Sequence, residues 1–84
     1  EGMPMEKIAT KEFDPLGYLS AIDKETFDPI VLKKARIKLN LSQEGFAREI
    51  GVSFPTYSGW ERGRQKPSYD GLDKLRRFAD NNRH

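Results

Sequence analysis

Residues 42–63 read SQEGFAREIGVSFPTYSGWERG, and this stretch decides the fold. Ser42 suits the start of a helix, because its side-chain oxygen can accept from a free backbone N–H of the first turn. Behind it, Phe46, Ala47 and Ile50 recur at the spacing of one helical face. Gly51 follows at once, and glycine turns a chain sharply after a helix without the steric cost of a Cβ. Ser53 is a second capping residue. The helix it opens runs to about Arg62, with Thr56, Tyr57 and Trp60 as inner positions, and Gly63 ends it. The stretch therefore predicts two short helices joined by a tight glycine turn.

The same signals repeat on either side. Upstream, Asp28-Pro29 joins a capping residue to the one best suited to the first helical position. Ile30, Leu32, Ala35, Arg36 and Leu39 then follow at helical spacing, which predicts a helix over residues 29–38, and Asn40 can take a left-handed terminal position. Downstream, Arg64-Gln65-Lys66-Pro67 is a basic loop. Ser68 caps a last helix whose Leu72, Leu75, Phe78 and Ala79 form an apolar stripe fraying at Asn81-Asn82. Asp14-Pro15 is a weaker start signal for a short helix over residues 15–22. Its Leu16, Leu19 and Ile22 share a face that must bury against the following domain or a second protomer. Residues 1–13 show no period and read as flexible. The expected architecture is all-α, a small bundle of four to five helices. It divides into an acidic, partly flexible leader over residues 1–28, a domain over 29–81 and a tail over 82–84.

A chain of 84 residues holds one small domain with a modest core. No apolar run approaches the ~18 residues needed to span a bilayer, and no basic region precedes an apolar stretch at the N-terminus. With no cysteine to cross-link so small a fold, a cytoplasmic protein is expected. The net charge of +2 conceals an asymmetry. Residues 1–28 hold seven acids against three lysines, a balance of −4, and residues 29–84 hold twelve Lys and Arg against six acids, a balance of +6. A basic domain behind an acidic leader suggests a polyanionic partner for the domain. Enzyme chemistry is not expected, since the chain has no cysteine and a single histidine, His84. No metal-ligand cluster, phosphate-binding glycine loop or catalytic triad can be assembled, so no cofactor is expected. Asp70 and Asp73 read as solubilising acids, and Lys74, Arg76 and Arg77 as a solvated face.

Two short helices joined by a tight turn inside a bundle have the layout of a helix-turn-helix, whose second helix lies in the major groove of DNA. Residues 32–68, LKKARIKLNLSQEGFAREIGVSFPTYSGWERGRQKPS, resemble the phage-repressor (Cro-like, XRE) helix-turn-helix family. The resemblance is carried by LSQ-x-x-FA, then IGVS, then WERGR-x-KPS, in order and spacing. It implies a lambda-repressor-like bundle and a transcriptional regulator that binds duplex DNA through the major groove as a homodimer. It implies that Gln43 helps to hold a phosphate at a helix start, where free N–H groups and the helix dipole favour an anion. Arg36 and Glu61 hold positions that form a semi-buried structural ion pair in relatives, and Trp60 and Tyr57 fall in or near the core. Ser53, Phe54, Pro55, Thr56, Ser58 and Gly59 take the outward positions from which relatives read base edges. Arg62, Arg64 and Lys66 take the positions that grip the backbone, and three cations in five residues suit phosphate contacts.

This chain departs from the family at the reading face. Bidentate recognition of guanine or adenine needs Arg, Lys, Asn or Gln, and Phe54, Pro55 and Gly59 carry no side-chain donor or acceptor. Phe54 can touch thymine methyl groups, and Thr56 and Ser58 can make one hydrogen bond each. Binding is therefore expected to be weak per half-site, or to lean on DNA shape. The same apolar surface supports an alternative, a protein-interaction module of adaptor or coactivator type that keeps the fold. The acidic leader is a second candidate for a protein partner, as in an antitoxin.

Overall fold

The computed structural model describes residues 13–83, which form five α-helices and no strand. They are α1 (Pro15–Ser20), α2 (Pro29–Lys38), α3 (Gln43–Ile50), α4 (Phe54–Arg62) and α5 (Tyr69–Asn81). Of the stretch expected to be flexible, residues 1–12 lie outside the described residues.

Local chemistry makes most of the helix ends. Asp28, Ser42, Ser53 and Ser68 each accept a backbone N–H from the first turn, those of Ile30, Gly45, Thr56 and Gly71. Asp14 occupies the corresponding place before α1, but its side chain makes no capping bond. Three helices end in the same way. Asn40, Gly51 and Gly63 adopt left-handed backbone, with φ of 62°, 85° and 77°. Their N–H groups donate to Ile37, Arg48 and Trp60, and the N–H groups one residue later donate to Arg36, Ala47 and Gly59. This paired pattern satisfies carbonyls that a helix end otherwise leaves open, and it needs a residue that tolerates positive φ.

The core is one cluster to which all five helices contribute: Leu19, Leu32, Ala35, Phe46, Ala47, Ile50, Tyr57, Trp60, Leu72, Leu75, Phe78 and Ala79, with Ile22 just after α1. Phe46 lies at its centre, edge-on to Tyr57 at 5.3 Å and to Phe78 at 5.0 Å between ring centroids. The inward stripe of α2 is Leu32 and Ala35, with Leu39 partly buried beyond it, and Ile30 does not belong to it. At about 100° per residue Ile30 stands some 160° round the helix from Leu32, and it is 69 % exposed.

The segment before α2 belongs to the same fold. Helix α1 is shorter than the expected 15–22, ending where the Ser20 hydroxyl donates to the Gly17 carbonyl. Leu19 and Ile22 are nonetheless buried, packed against the domain of their own chain. Arg76 of α5 donates from Nε to the Ile22 carbonyl at 2.8 Å. It is thus an anchor for α1 rather than a solvated charge, because the carbonyl after a short helix needs a donor. The chain from α1 to α2 is closed by reciprocal Asp23 and Thr26 side-chain-to-backbone bonds, and by the Tyr18 hydroxyl, which donates to Thr26 and accepts from the Asp28 N–H. Lys74 and Arg77 form surface pairs with Asp70 and Asp73, one helical turn away. No helix of the described residues is long and apolar enough to cross a membrane.

Candidate nucleic-acid interface

The left-handed Gly51 turns the chain between α3 and α4 within three residues, so the two helices pack directly on each other. Ser53 opens α4, and Pro55 fits the first turn because the N–H it lacks would have no helical partner there. The helix then presents two different faces.

Its inner face carries Tyr57, Trp60 and Glu61. The Glu61 carboxylate accepts from Arg36 Nε at 2.7 Å, from Arg36 Nη2 at 3.3 Å, from Gln43 Nε2 at 2.8 Å and from the Tyr57 hydroxyl. Arg36 also donates from Nη1 to the Leu41 carbonyl at 2.8 Å. The Arg36 and Glu61 side chains are only 11 % and 2 % exposed. Burial alone would raise the Glu61 pKa. The bonds from Arg36, Tyr57 and Gln43 outweigh it and hold the carboxyl below its ordinary range. Burial, reinforced by Glu61, pushes the Tyr57 phenol far up, so it stays a donor. The bond to Glu61 likewise raises the pKa of Arg36. A buried charge is tolerated only when its lone pairs are met, and here α2, α3 and α4 each supply a donor. The ion pair therefore fixes α4 to both of its neighbours.

Gln43, the first residue of α3, is half-buried, and its amide points to Glu61. The bond uses one of the two amide hydrogens, and among the described residues nothing donates to the carbonyl oxygen.

On the outer face Ser53, Phe54 and Pro55 are exposed and Thr56 is half-buried. The Ser53 hydroxyl donates to Thr56 Oγ1 at 2.9 Å and accepts from the Thr56 N–H, so the two hydroxyls already engage each other. Ser58 and Gly59 line the hollow on this face but are less exposed than expected. Both are buried, Ser58 to 8 % exposure. The loop after α4 accounts for this at Gly59, because it folds back on the helix. The N–H groups of Arg64 and Gln65 both donate to the Gly59 carbonyl. The Gln65 side chain lies across Gly59 and donates from Nε2 to the Thr56 carbonyl at 3.2 Å. Gln65 thus joins the face without belonging to the helix. A glycine at 59, followed by the chain reversal at Gly63, is the signal in the sequence that could have found it.

Phe54, Pro55, Ser58, Gly59, Arg62, Arg64 and Gln65 line a shallow hollow of about 350 Å³. Arg62, Arg64 and Lys66 are exposed at its edge or beside it, and among the described residues no acid pairs with any of them. The described residues also hold no group of three or more His, Cys, Asp or Glu side chains placed to bind a metal. The arrangement is a thin, largely apolar helix face beside three uncompensated cations.

A sequence model of the helix-turn-helix family matches residues 32–80, from within α2 to the last turn of α5. The cryptic phage CTXphi transcriptional repressor RstR of Vibrio cholerae is 36 % identical over 47 residues. That alignment covers 56 % of this chain and 42 % of the repressor, so this chain spans less than half of that relative's length. No solved structure matches.

Proposed function

The chain belongs to the phage-repressor-type helix-turn-helix family, a family of DNA-binding regulators, and from that premise we propose that it regulates transcription by binding duplex DNA with α4 in the major groove. The observation that carries this reading is the set of cations at the end of α4 and in the loop after it, Arg62, Arg64 and Lys66, which no acid of the described residues pairs, beside the exposed Phe54–Pro55 start of the helix. With α4 in the groove, cations on the loop that leaves it stand at the flanking backbone, where phosphates supply most non-specific affinity. Phe54 offers apolar contact to thymine methyl groups, and Ser53 and Thr56 offer hydroxyls. A nine-residue helix reads one half-site. The proposed binding form is accordingly a homodimer on a palindrome with half-sites about 34 Å apart, and the proposed compartment is the cytoplasm.

A second reading makes the Phe54–Pro55 surface a contact for another protein, favoured by Phe54 being 43 % exposed. A protein partner for the acidic N-terminal segment would have to use residues other than Leu19 and Ile22, which the core already covers.

Fluorescence anisotropy of labelled duplex at two salt concentrations tests the DNA reading. Binding should weaken steeply with salt, and replacing Arg62, Arg64 and Lys66 together with alanine should lower the slope by about 0.9 for each phosphate that is no longer neutralised. Absence of binding at low salt would overturn it and turn the search to a protein partner at Phe54.

A further inference from the structure

We propose that Gln65, a residue of the loop after α4, reads an adenine edge in the major groove from the face of that helix; this rests on the DNA reading above. Over the first turn of α4 the outer face offers no amide or guanidinium, since Ser53, Phe54, Pro55 and Thr56 have neither, and the first guanidinium on that face is Arg62, at the far end of the helix. Gly59 has no side chain at all, and the Gln65 amide fills that space. A Cβ at position 59 would stand only 2.9 Å from Gln65 Nε2 and 3.1 Å from Cδ. The paired bonds from the Arg64 and Gln65 N–H groups to the Gly59 carbonyl hold the loop in this position.

The orientation of the amide follows from its partner. The Thr56 carbonyl can only accept, so the NH2 of Gln65 must face it. That bond uses one amide hydrogen. The second hydrogen and the carbonyl oxygen remain available, a donor and an acceptor side by side on an exposed side chain. Adenine presents the complement in the major groove, with N7 to accept and N6 to donate. Because Thr56 and Gly59 already hold the amide, less rotamer freedom is lost on binding than a free glutamine would lose. Phe54, Arg62 and Arg64 share the hollow in which the amide lies, so the base it meets is flanked by an apolar contact and two cations.

The test selects duplexes from a randomised pool with the full chain and with Gln65→Ala, Gln65→Glu and Gly59→Ala. The wild-type chain should enrich a motif with adenine at one position per half-site. Gln65→Ala should abolish the preference at that position, a loss of about ten- to a hundredfold in discrimination, with the rest of the motif and the salt slope unchanged. Gln65→Glu, which offers only acceptors, should move the preference toward cytosine, whose N4 donates. Gly59→Ala should erase the same preference by displacing the amide, with the helical circular-dichroism spectrum retained. An unchanged motif with Gln65→Ala would overturn this inference and leave the DNA reading standing. A wild-type chain that binds no duplex would overturn both.

Discussion

The two faces of α4 lie on one nine-residue helix and are built on opposite rules. On the inner face the carboxylate of Glu61 and the hydroxyl of Tyr57 are both met. Glu61 is 2 % exposed yet accepts from Arg36, Tyr57 and Gln43, and Tyr57 is fully buried beneath its own hydroxyl bond. On the outer face the cations at the helix end and in the loop lack acidic partners among the described residues, and the exposed ring of Phe54 lies against solvent. The inner face uses its polar groups to hold the helix in place. The outer face keeps its charge uncompensated and available to something outside the chain. Substitutions on the two faces should therefore separate stability from binding.

The largest effect is expected at Glu61. Glu61→Gln leaves Arg36 without its counter-charge in a dry site and should cost about 3 kcal/mol in chemical denaturation. A cost near zero would mean that the network is incidental to how α4 is held. Acid probes the same residue. The folded pKa of Glu61 lies below its ordinary value of 4.5. The stabilisation from its charge is thus complete above that value and is lost as pH falls through the lower folded one. Unfolding followed against pH should show this acid loss, and Glu61→Gln should flatten it. Tyr57→Phe removes one donor and should cost about 1–2 kcal/mol, with the salt dependence of DNA binding unmoved.

On the outer face the outcomes reverse. Arg62→Ala, Arg64→Ala and Lys66→Ala should each change stability by less than about 0.5 kcal/mol. Each should reduce the slope of log affinity against log salt by roughly 0.9 if its cation meets a phosphate. A loss of stability at any of them would show that the two faces are not independent. The smallest effect is expected at Asp70→Asn on α5. It breaks an exposed pair with Lys74 and should leave both the melting temperature and DNA affinity within measurement scatter.

How far the sequence could be read depended on the range of the interaction. Ser42, Ser53 and Ser68 act within their own first turns, and Asn40, Gly51 and Gly63 within their own last ones, so short-range rules located these ends. Phe46, Ala47 and Ile50 follow from the helical period, and all three are buried. Ile30 did not follow, because a loose match to the period cannot separate a stripe residue from one most of a half-turn away. Asp14-Pro15 is the weaker of two like start signals, and only Asp28 makes the capping bond.

By itself, then, the sequence determined the succession of helices and turns and, Ile30 apart, the apolar residues that make the core. Capping oxygens, positive-φ residues and helical periodicity all act across a few neighbours. Only the tertiary structure decided what the polar and small residues do. Arg76 becomes an anchor because Ile22, 54 residues earlier, brings a carbonyl to it. Gln43 turns to Glu61 because a buried carboxylate draws every donor within reach. Ser58 and Gly59 lose their exposure though they still line the outer hollow, and Gln65 comes to lie across Gly59 because the chain reverses at Gly63. A hydrogen bond depends on where two groups meet in space, and for these residues the fold made the meeting.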